Sequence, residues 1–304
     1  MNVEEGFVEG SDGTRLFYRA VGQGAAMVAC NGIGVSTFFW KRFEAHFSDR
    51  FRFVTWDYRG HGRSEPPRDA ARVDMGTLAE DLHCLNRALD LDRPIVLGHS
   101  MGVQVVLEYY RRYPEEVGAL VPVLGSYGKP VDTFLNFRYS RPLFDRMITA
   151  ALRNPAIAAR IHRMVFDPRY AITASGLIGL IDRLYCPREA MHDYFTHIGN
   201  LDTQMLLEMG RHMADHSARD VLPTIRVPTL IVAGEKDLLT PIHLSLEMQH
   251  LIPDAELLFV QDGTHTSLIE QPGLILRRID RFVQQHDLER TTTGEKGQAA
   301  LEKT

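Results

Sequence analysis

Gly98-His99-Ser100-Met101-Gly102 lies where one pattern of apolar residues gives way to another. Before it, Pro94-Ile95-Val96-Leu97-Gly98 is a short apolar run with a β-branched centre. After it, Val103, Val106, Leu107 and Tyr110 fall at i, i+3, i+4 and i+7, one face of a helix, until Pro114 closes the segment. A strand therefore turns directly into a helix with a serine at the corner. Such a turn holds the serine in strained backbone geometry, and glycines two before and two after it prevent clashes. The turn also sets the N–H of Met101, and the positive end of the following helix, beside whatever the Ser100 hydroxyl reaches.

Outward from this corner the chain alternates strands and helices. Val3-Glu9 and Arg15-Val21 read as two strands joined through Ser11-Asp12-Gly13, a hairpin-type turn with a glycine for positive φ. Ala25-Cys30 and Phe51-Trp56 are short apolar runs without polar alternation, as are Val117-Leu124, Pro228-Ala233 and Glu256-Val260 further on. Runs of that kind suit strands buried on both faces of a parallel sheet. Between Phe51-Trp56 and the serine corner, Leu78, Leu82, Leu85 and Leu89 mark one face of a helix over Met75-Leu89. Strands alternating with helices at this spacing predict an α/β protein whose parallel sheet is covered on both sides.

Residues 128–220 break the rhythm. Phe144-Leu152, Ile157-Val165, Thr173-Leu184, Glu189-Ile198 and Thr203-His212 carry helical spacing, separated by prolines at 142, 155, 168 and 187, and no strand intervenes. A helical insertion in such a protein commonly sits over the carboxyl edge of the sheet, so this segment reads as a cap between two parts of a core, 1–127 and 221–286. The last residues, 287–304, hold three consecutive threonines, many charges and no aromatic residue, and read as a disordered tail.

Composition narrows the function classes. Thirty-four Lys and Arg against 39 Asp and Glu give a net charge of −5, with no basic block for phosphate, so nucleic acid is not an expected partner. No run of about 18 apolar residues offers a membrane span. Met1-Asn2-Val3-Glu4-Glu5 lacks the start of a signal peptide, and the expected location is cytoplasmic. Cys30, Cys84 and Cys186 are too scattered for a zinc site and odd in number for a disulfide framework, so they read as plain thiols.

A serine hydroxyl is a poor nucleophile near neutrality and needs a base, itself oriented by a third group. Two later strands run into loops that supply these. Leu230-Ile231-Val232-Ala233-Gly234-Glu235-Lys236-Asp237 ends in a carboxylate, and Leu258-Phe259-Val260-Gln261-Asp262-Gly263-Thr264-His265 ends in a histidine. Both loops should emerge at the same sheet edge as Ser100. Asp262 and Glu235 are rival carboxylates by sequence distance, but read as exposed loop groups, and Val123-Leu124-Gly125-Ser126 after the sixth strand offers no acid in place of Asp237.

With these segments in this order, the chain resembles the α/β-hydrolase family over roughly residues 15 to 285. Asp57-Tyr58-Arg59-Gly60-His61-Gly62-Arg63-Ser64 is similar to the family's Asp-x-Arg-Gly-x-Gly-x-Ser stretch, and Asn31-Gly32-Ile33-Gly34 stands where many relatives carry His-Gly and an oxyanion-hole residue. The resemblance implies a mostly parallel eight-stranded sheet flanked by helices, with a helical cap insertion. It implies Ser100 as nucleophile, His265 as general base and then acid, and Asp237 as the orienting carboxylate. The oxyanion donors would be the backbone N–H groups of Met101 and Ile33. Asn31 in place of the usual histidine is a departure; its amide is either a loop brace or a hydrogen-bonding partner of the substrate.

Candidate substrate contacts are Asn31, Gly32 and Gly34 of this loop, with Phe39 and Trp40 just beyond it. Phe134, Phe137, Tyr139, Phe144, Met147 and Met164, with Met205 and Met209, are candidates for an apolar ceiling, although methionine and aromatic residues at helical spacing are more often ordinary core. His99 reads as a supporting neighbour of the serine, and His61 as a brace of its glycine-rich loop. His212 and His216, spaced i, i+4, lack the glutamate and third ligand of a metal site. The expected activity is hydrolysis of an apolar ester or lactone, a small-molecule substrate, with no cofactor and no metal. Thioester hydrolysis, carbon–carbon bond hydrolysis and perhydrolysis would use the same residues, and a triad-retaining ligand receptor is the reading from outside the enzymes.

Overall fold

Eight strands form one sheet in the order β1-β2-β4-β3-β5-β6-β7-β8, where β1 is Val3–Glu9, β2 Arg15–Val21, β3 Ala25–Cys30, β4 Phe51–Trp56, β5 Ile95–His99, β6 Ala119–Val123, β7 Leu230–Gly234 and β8 Glu256–Val260. This is a computed structural model, and it describes residues 2–134, 137 and 139–289. β1 pairs antiparallel with β2, and β2 with β4, while every pair from β4 to β8 is parallel. β5, β6 and β7 are buried along their whole length, which is why they read as unbroken apolar runs. β1 is mostly exposed and β8 only partly covered, as befits the two edges.

The strand order reverses between β3 and β5. From β3 the chain steps outward to β4 on one side, then crosses back to β5 on the other, with Cys30 paired to Gly98 in register. The loops leaving these two strands diverge at their carboxyl ends and open a crevice there. Ser100 and the Asn31–Gly34 loop both start from that crevice.

The sheet's helices are α1 (Lys41–Phe47), α2 (Met75–Ala88), α3 (Met101–Arg112), α9 (Ile242–Leu251), α10 (Ser267–Glu270) and α11 (Pro272–Gln285). They divide the core into two clusters. One, around Val28, Trp56, Leu78, Val96 and Val106, lies under α2 and α3. The other, around Phe43, Phe47, Phe53, Leu97 and Phe282, lies under α1 and α11. Between β6 and β7 come five helices with no named strand: α4 (Ser140–Arg153), α5 (Pro155–Val165), α6 (Pro168–Leu177), α7 (Arg188–Asn200) and α8 (Thr203–Asp215). The helix expected over Thr173-Leu184 lies earlier. Asp167 caps its N-terminus by accepting from Arg169 N–H, Pro168 occupies the first turn, and Gly179 at φ +79° lies beyond its end.

No helix among the described residues is long and apolar enough to cross a membrane. Residues 288 and 289, expected in the tail, make contacts with the rest of the chain. Leu288 packs against the core with its N–H on the carbonyl of Val283, and Glu289 pairs with Arg50. Residues 290–304 lie outside the described residues.

Candidate active site

The serine corner has the geometry that its sequence demands. Ser100 sits at φ 56°, ψ −120°, between β5 and the first turn of α3. An added Cβ at Gly98 would lie 2.5 Å from the carbonyl oxygen of Gly102, and one at Gly102 would lie 2.5 Å from that of Cys30. A third glycine, which sequence spacing did not single out, is needed on the adjoining strand end: a Cβ at Gly125 would lie 2.5 Å from the carbonyl oxygen of Ser100. Backbone crowding on three sides fixes the serine in place.

His265 and Asp237 arrive from the loops after β8 and β7. His265 Nε2 stands 2.8 Å from Ser100 Oγ, and its Nδ1 stands 2.9 and 3.1 Å from the two carboxylate oxygens of Asp237. An ionised carboxylate only accepts, so the ring proton belongs on Nδ1 and Nε2 is free to accept from the serine hydroxyl. Asp237 is buried. It accepts from Leu239 N–H, Thr240 N–H and the Thr240 hydroxyl at 2.8–2.9 Å. Burial opposes its charge, but the His265 contact and these donors hold the carboxyl below the usual range. The two loops are tied by Lys236 N–H on the carbonyl of Gly263.

The rival carboxylates are elsewhere. Asp262 pairs with Lys236 on the surface and donates its N–H to Glu235. His99 lies behind the reacting groups, with its Nε2 3.2 Å from the carbonyl of His265; burial and the His265 ring push its pKa down to about 3. One carboxylate that sequence reading missed is Glu270. Its oxygens accept from Thr264 and Thr266, the residues flanking His265, and from Asp182 N–H beyond α6. Its signal in sequence is only a glutamate on the short helix after the histidine, which does not reveal three convergent donors.

The loop after β3 is braced from beneath. Asn31 donates through Nδ2 to the carbonyl of Trp56 and accepts through Oδ1 from the indole of Trp40; Tyr58 donates to its carbonyl. Of the two roles open to Asn31, the structure places it as the brace. Trp40 is fully buried in the core against Phe43 and does not line the cavity, which corrects its expected substrate contact. Gly34 is corrected likewise: at φ +71° it turns its N–H onto His61 Nε2 at 3.3 Å and does not line the cavity. Burial holds His61 down to about 4, so it stays a neutral acceptor, with Nδ1–H donating to the carbonyl of Arg59. Gly32 and Phe39 do line the cavity, and a Cβ at Gly32 would come within 3.1 Å of the Ser100 Cβ. The N–H groups of Ile33 and Met101 make no hydrogen bond among the described residues, leaving two donors free beside Ser100.

A cavity of about 380 Å³ opens over Ser100 and His265. Its floor comes from the sheet edge and its roof from the insertion, through residues such as Phe166, Ala171, Ile181, Met191, Tyr194 and Phe195. Of the candidate ceiling residues, Phe134 lines it. Phe137, Tyr139, Met147 and Met164 are exposed on the insertion's outer surface, and Met205 and Met209 are in the core. Helical spacing identifies an apolar stripe but not the direction in which the helix faces once packed. His216 Nε2 lies 3.3 Å from Glu108, and no cluster of three or more metal-ligating side chains occurs among the described residues.

A serine hydrogen-bonded to a carboxylate-oriented imidazole thus stands at the carboxyl edge of a parallel α/β sheet, beside two N–H groups that make no hydrogen bond among the described residues. A family model described as alpha/beta hydrolase fold matches residues 25–272, and the chain belongs to that family. It is similar to the uncharacterized protein Rv2715 of Mycobacterium tuberculosis, 24% identical over 95% of this chain and 82% of that protein. It is also similar to the AB hydrolase superfamily protein YisY of Bacillus subtilis, 23% identical over 91% of this chain and 98% of that one. Among solved structures, the esterase EaEST from Exiguobacterium antarcticum matches with a TM-score of 0.74, at 20% identity over 92% of this chain and all of that chain, a likeness of fold.

Proposed function

We propose that the protein hydrolyses a carboxylic ester or lactone through an acyl-enzyme, with Ser100 as nucleophile. The observation that carries this is the Ser100–His265–Asp237 hydrogen-bonded chain, at 2.8 Å and 2.9 Å, opening into a mostly apolar cavity. As Ser100 Oγ attacks the carbonyl, His265 Nε2 takes its proton, and Asp237 stabilises the imidazolium and fixes its tautomer. The tetrahedral oxyanion is received by the N–H groups of Ile33 and Met101, donors of a kind typically worth about 3–4 kcal/mol each in the transition state. His265 then protonates the departing alcohol, or the ring alkoxide of a lactone. The same ring next draws a proton from water, which attacks the acyl carbon and releases the acid. This chemistry requires no metal or cofactor.

The helices of 128–220 act as a cap that excludes water from the acyl group, since they supply most of the cavity's roof. The structural neighbour from Exiguobacterium antarcticum is an esterase, which agrees with this reading. The test is steady-state hydrolysis of nitrophenyl esters of graded acyl length, with lactones and an acyl thioester as parallel arms, for the wild type and Ser100→Ala. Ester or lactone turnover that Ser100→Ala abolishes supports the reading. Turnover of the thioester alone would move the substrate class, and turnover by Ser100→Ala would remove the serine from the mechanism.

A further inference from the structure

Most polar side chains around the cavity are already engaged. Thr240 donates to Asp237, Thr266 to Glu270, and Gln104 Nε2 to the carbonyl of Met213 at 3.1 Å; Ser126 is turned to the carbonyl of Gly128. Two lining acceptors, Gln104 Oε1 and His99 Nδ1, are buried without a partner among the described residues, whereas Tyr194 presents a donor. It lines the cavity from α7, its ring against Phe195 at 5.1 Å between centres, and its hydroxyl has no hydrogen-bond partner among the described residues. Burial alone pushes the phenol up to about 12, which keeps it a neutral O–H donor across the working range of a hydrolase. Ser175 lines the same cavity from α6, which packs on α7, and its hydroxyl is likewise unpaired.

A tyrosine hydroxyl packed into a protein ordinarily finds a partner, and Tyr194, half-buried in the cavity wall, can find one only in what enters the cavity, at a cost when that is an apolar chain. Phenylalanine would fill the same space without that cost. The donor stands in the insertion, whereas Ser100, Ile33 and Met101 come from the sheet edge. A substrate that spans the cavity from the sheet edge to the insertion would meet it with a group other than the carbonyl under attack.

We propose that Tyr194 is a specificity-determining residue whose hydroxyl donates a hydrogen bond to a second oxygen of the substrate, remote from the scissile carbonyl. The substrate class is then an ester or lactone bearing an ether, keto or hydroxyl oxygen in its chain, in preference to a plain hydrocarbon ester. This rests on the hydrolase reading of Ser100. A site arranged to hydrogen-bond a substrate group discriminates strongly against the analogue that lacks it, because the buried protein donor is then left unpaired.

The experiment is an oxygen walk. Octyl octanoate is the parent, and in two series each methylene of the acyl chain, or of the alcohol chain, is replaced in turn by an ether oxygen. kcat/KM is followed by proton release for the wild type and Tyr194→Phe, a substitution that keeps the ring and removes only the hydroxyl. The expected result is one position at which the wild type exceeds the parent by about 10-fold or more, with that ratio falling to near one in Tyr194→Phe, each variant being compared with its own rate on the parent. No oxygenated ester above the parent, or an advantage that survives in Tyr194→Phe, overturns the proposal while leaving the hydrolase intact. No turnover of any ester, parent included, removes the ester reading and this inference with it.

Discussion

Arg59 and Asp81 are both fully buried, and breaking their pairing should be among the most destabilising single changes in the protein. Arg59 Nε and Nη2 reach the two oxygens of Asp81 at 2.8 and 2.6 Å, a bidentate contact, while Nη1 reaches Asp12 at 2.9 Å and the carbonyl of Arg72 at 3.1 Å. Arg59→Met keeps the apolar stem but leaves the Asp81 carboxylate without its counter-charge in the interior. Losing one partner of such a pair costs about 3–5 kcal/mol. Replacing both partners removes the stranded charge, so Arg59→Met with Asp81→Leu should recover most of that loss. Urea unfolding of the wild type, both single variants and the double variant closes the cycle. The reasoning fails if Arg59→Met costs less than about 1 kcal/mol, or if the two single losses simply add.

Asp237→Asn should lower kcat by about 10⁴ through loss of the oriented, charge-stabilised His265, with little change in urea midpoint; a loss of under about tenfold would point to another carboxylate. Acid should weaken the fold through His61 and His99, whose pKa values are pushed down to about 4 and about 3 by burial. Because the unfolded chain takes up these protons near 6.5 and the folded chain does not, the stability they contribute is whole above 6.5 and falls as pH drops. Each should cost about 2 kcal/mol between pH 7 and 5, and His99→Gln should remove about one such share from the pH dependence of urea unfolding. An unchanged dependence in that variant would contradict the assignment. Gly102→Ala should fail to give native protein, since its Cβ would strike the backbone of Cys30 and Asn31; a soluble variant with wild-type activity would show that the corner is looser than drawn.

Much of the architecture was legible because the central strands are buried on both faces, so their apolar runs are unbroken and their ends abrupt. Ala25–Cys30 and Phe51–Trp56 begin and end where sequence patterning puts them. Ser100, Asp237 and His265 could be picked out because each stands just past such a run, and parallel strands deliver their loops to one edge. The insertion was harder to read. Its helices were visible as periodic segments, but periodicity does not tell which stripe meets the sheet, so Met147 and Met164 stood as candidates for a roof that Ile181, Met191 and Tyr194 supply. Trp40 was misjudged, and Asn31 left open between brace and substrate contact, for a related reason: nearness in sequence to the loop after β3 says nothing of the partners below it. The hydrogen bonds from Asn31 to the carbonyl of Trp56 and from Trp40 to Asn31 join residues up to 25 apart in the chain, a pairing that only the folded sheet reveals. Glu270 was missed because its donors come from both the histidine loop and the insertion.

The claim that Ser100 is an activated nucleophile is tested most directly with a serine-directed organophosphate such as diethyl 4-nitrophenyl phosphate. Intact-protein and peptide mass spectrometry of the wild type, Ser100→Ala and His265→Ala would follow the adduct. One diethylphosphoryl group per chain, on Ser100, absent from Ser100→Ala and strongly slowed in His265→Ala, is the predicted result. A folded wild type that takes up no label at Ser100, or that labels equally fast without His265, would contradict the account.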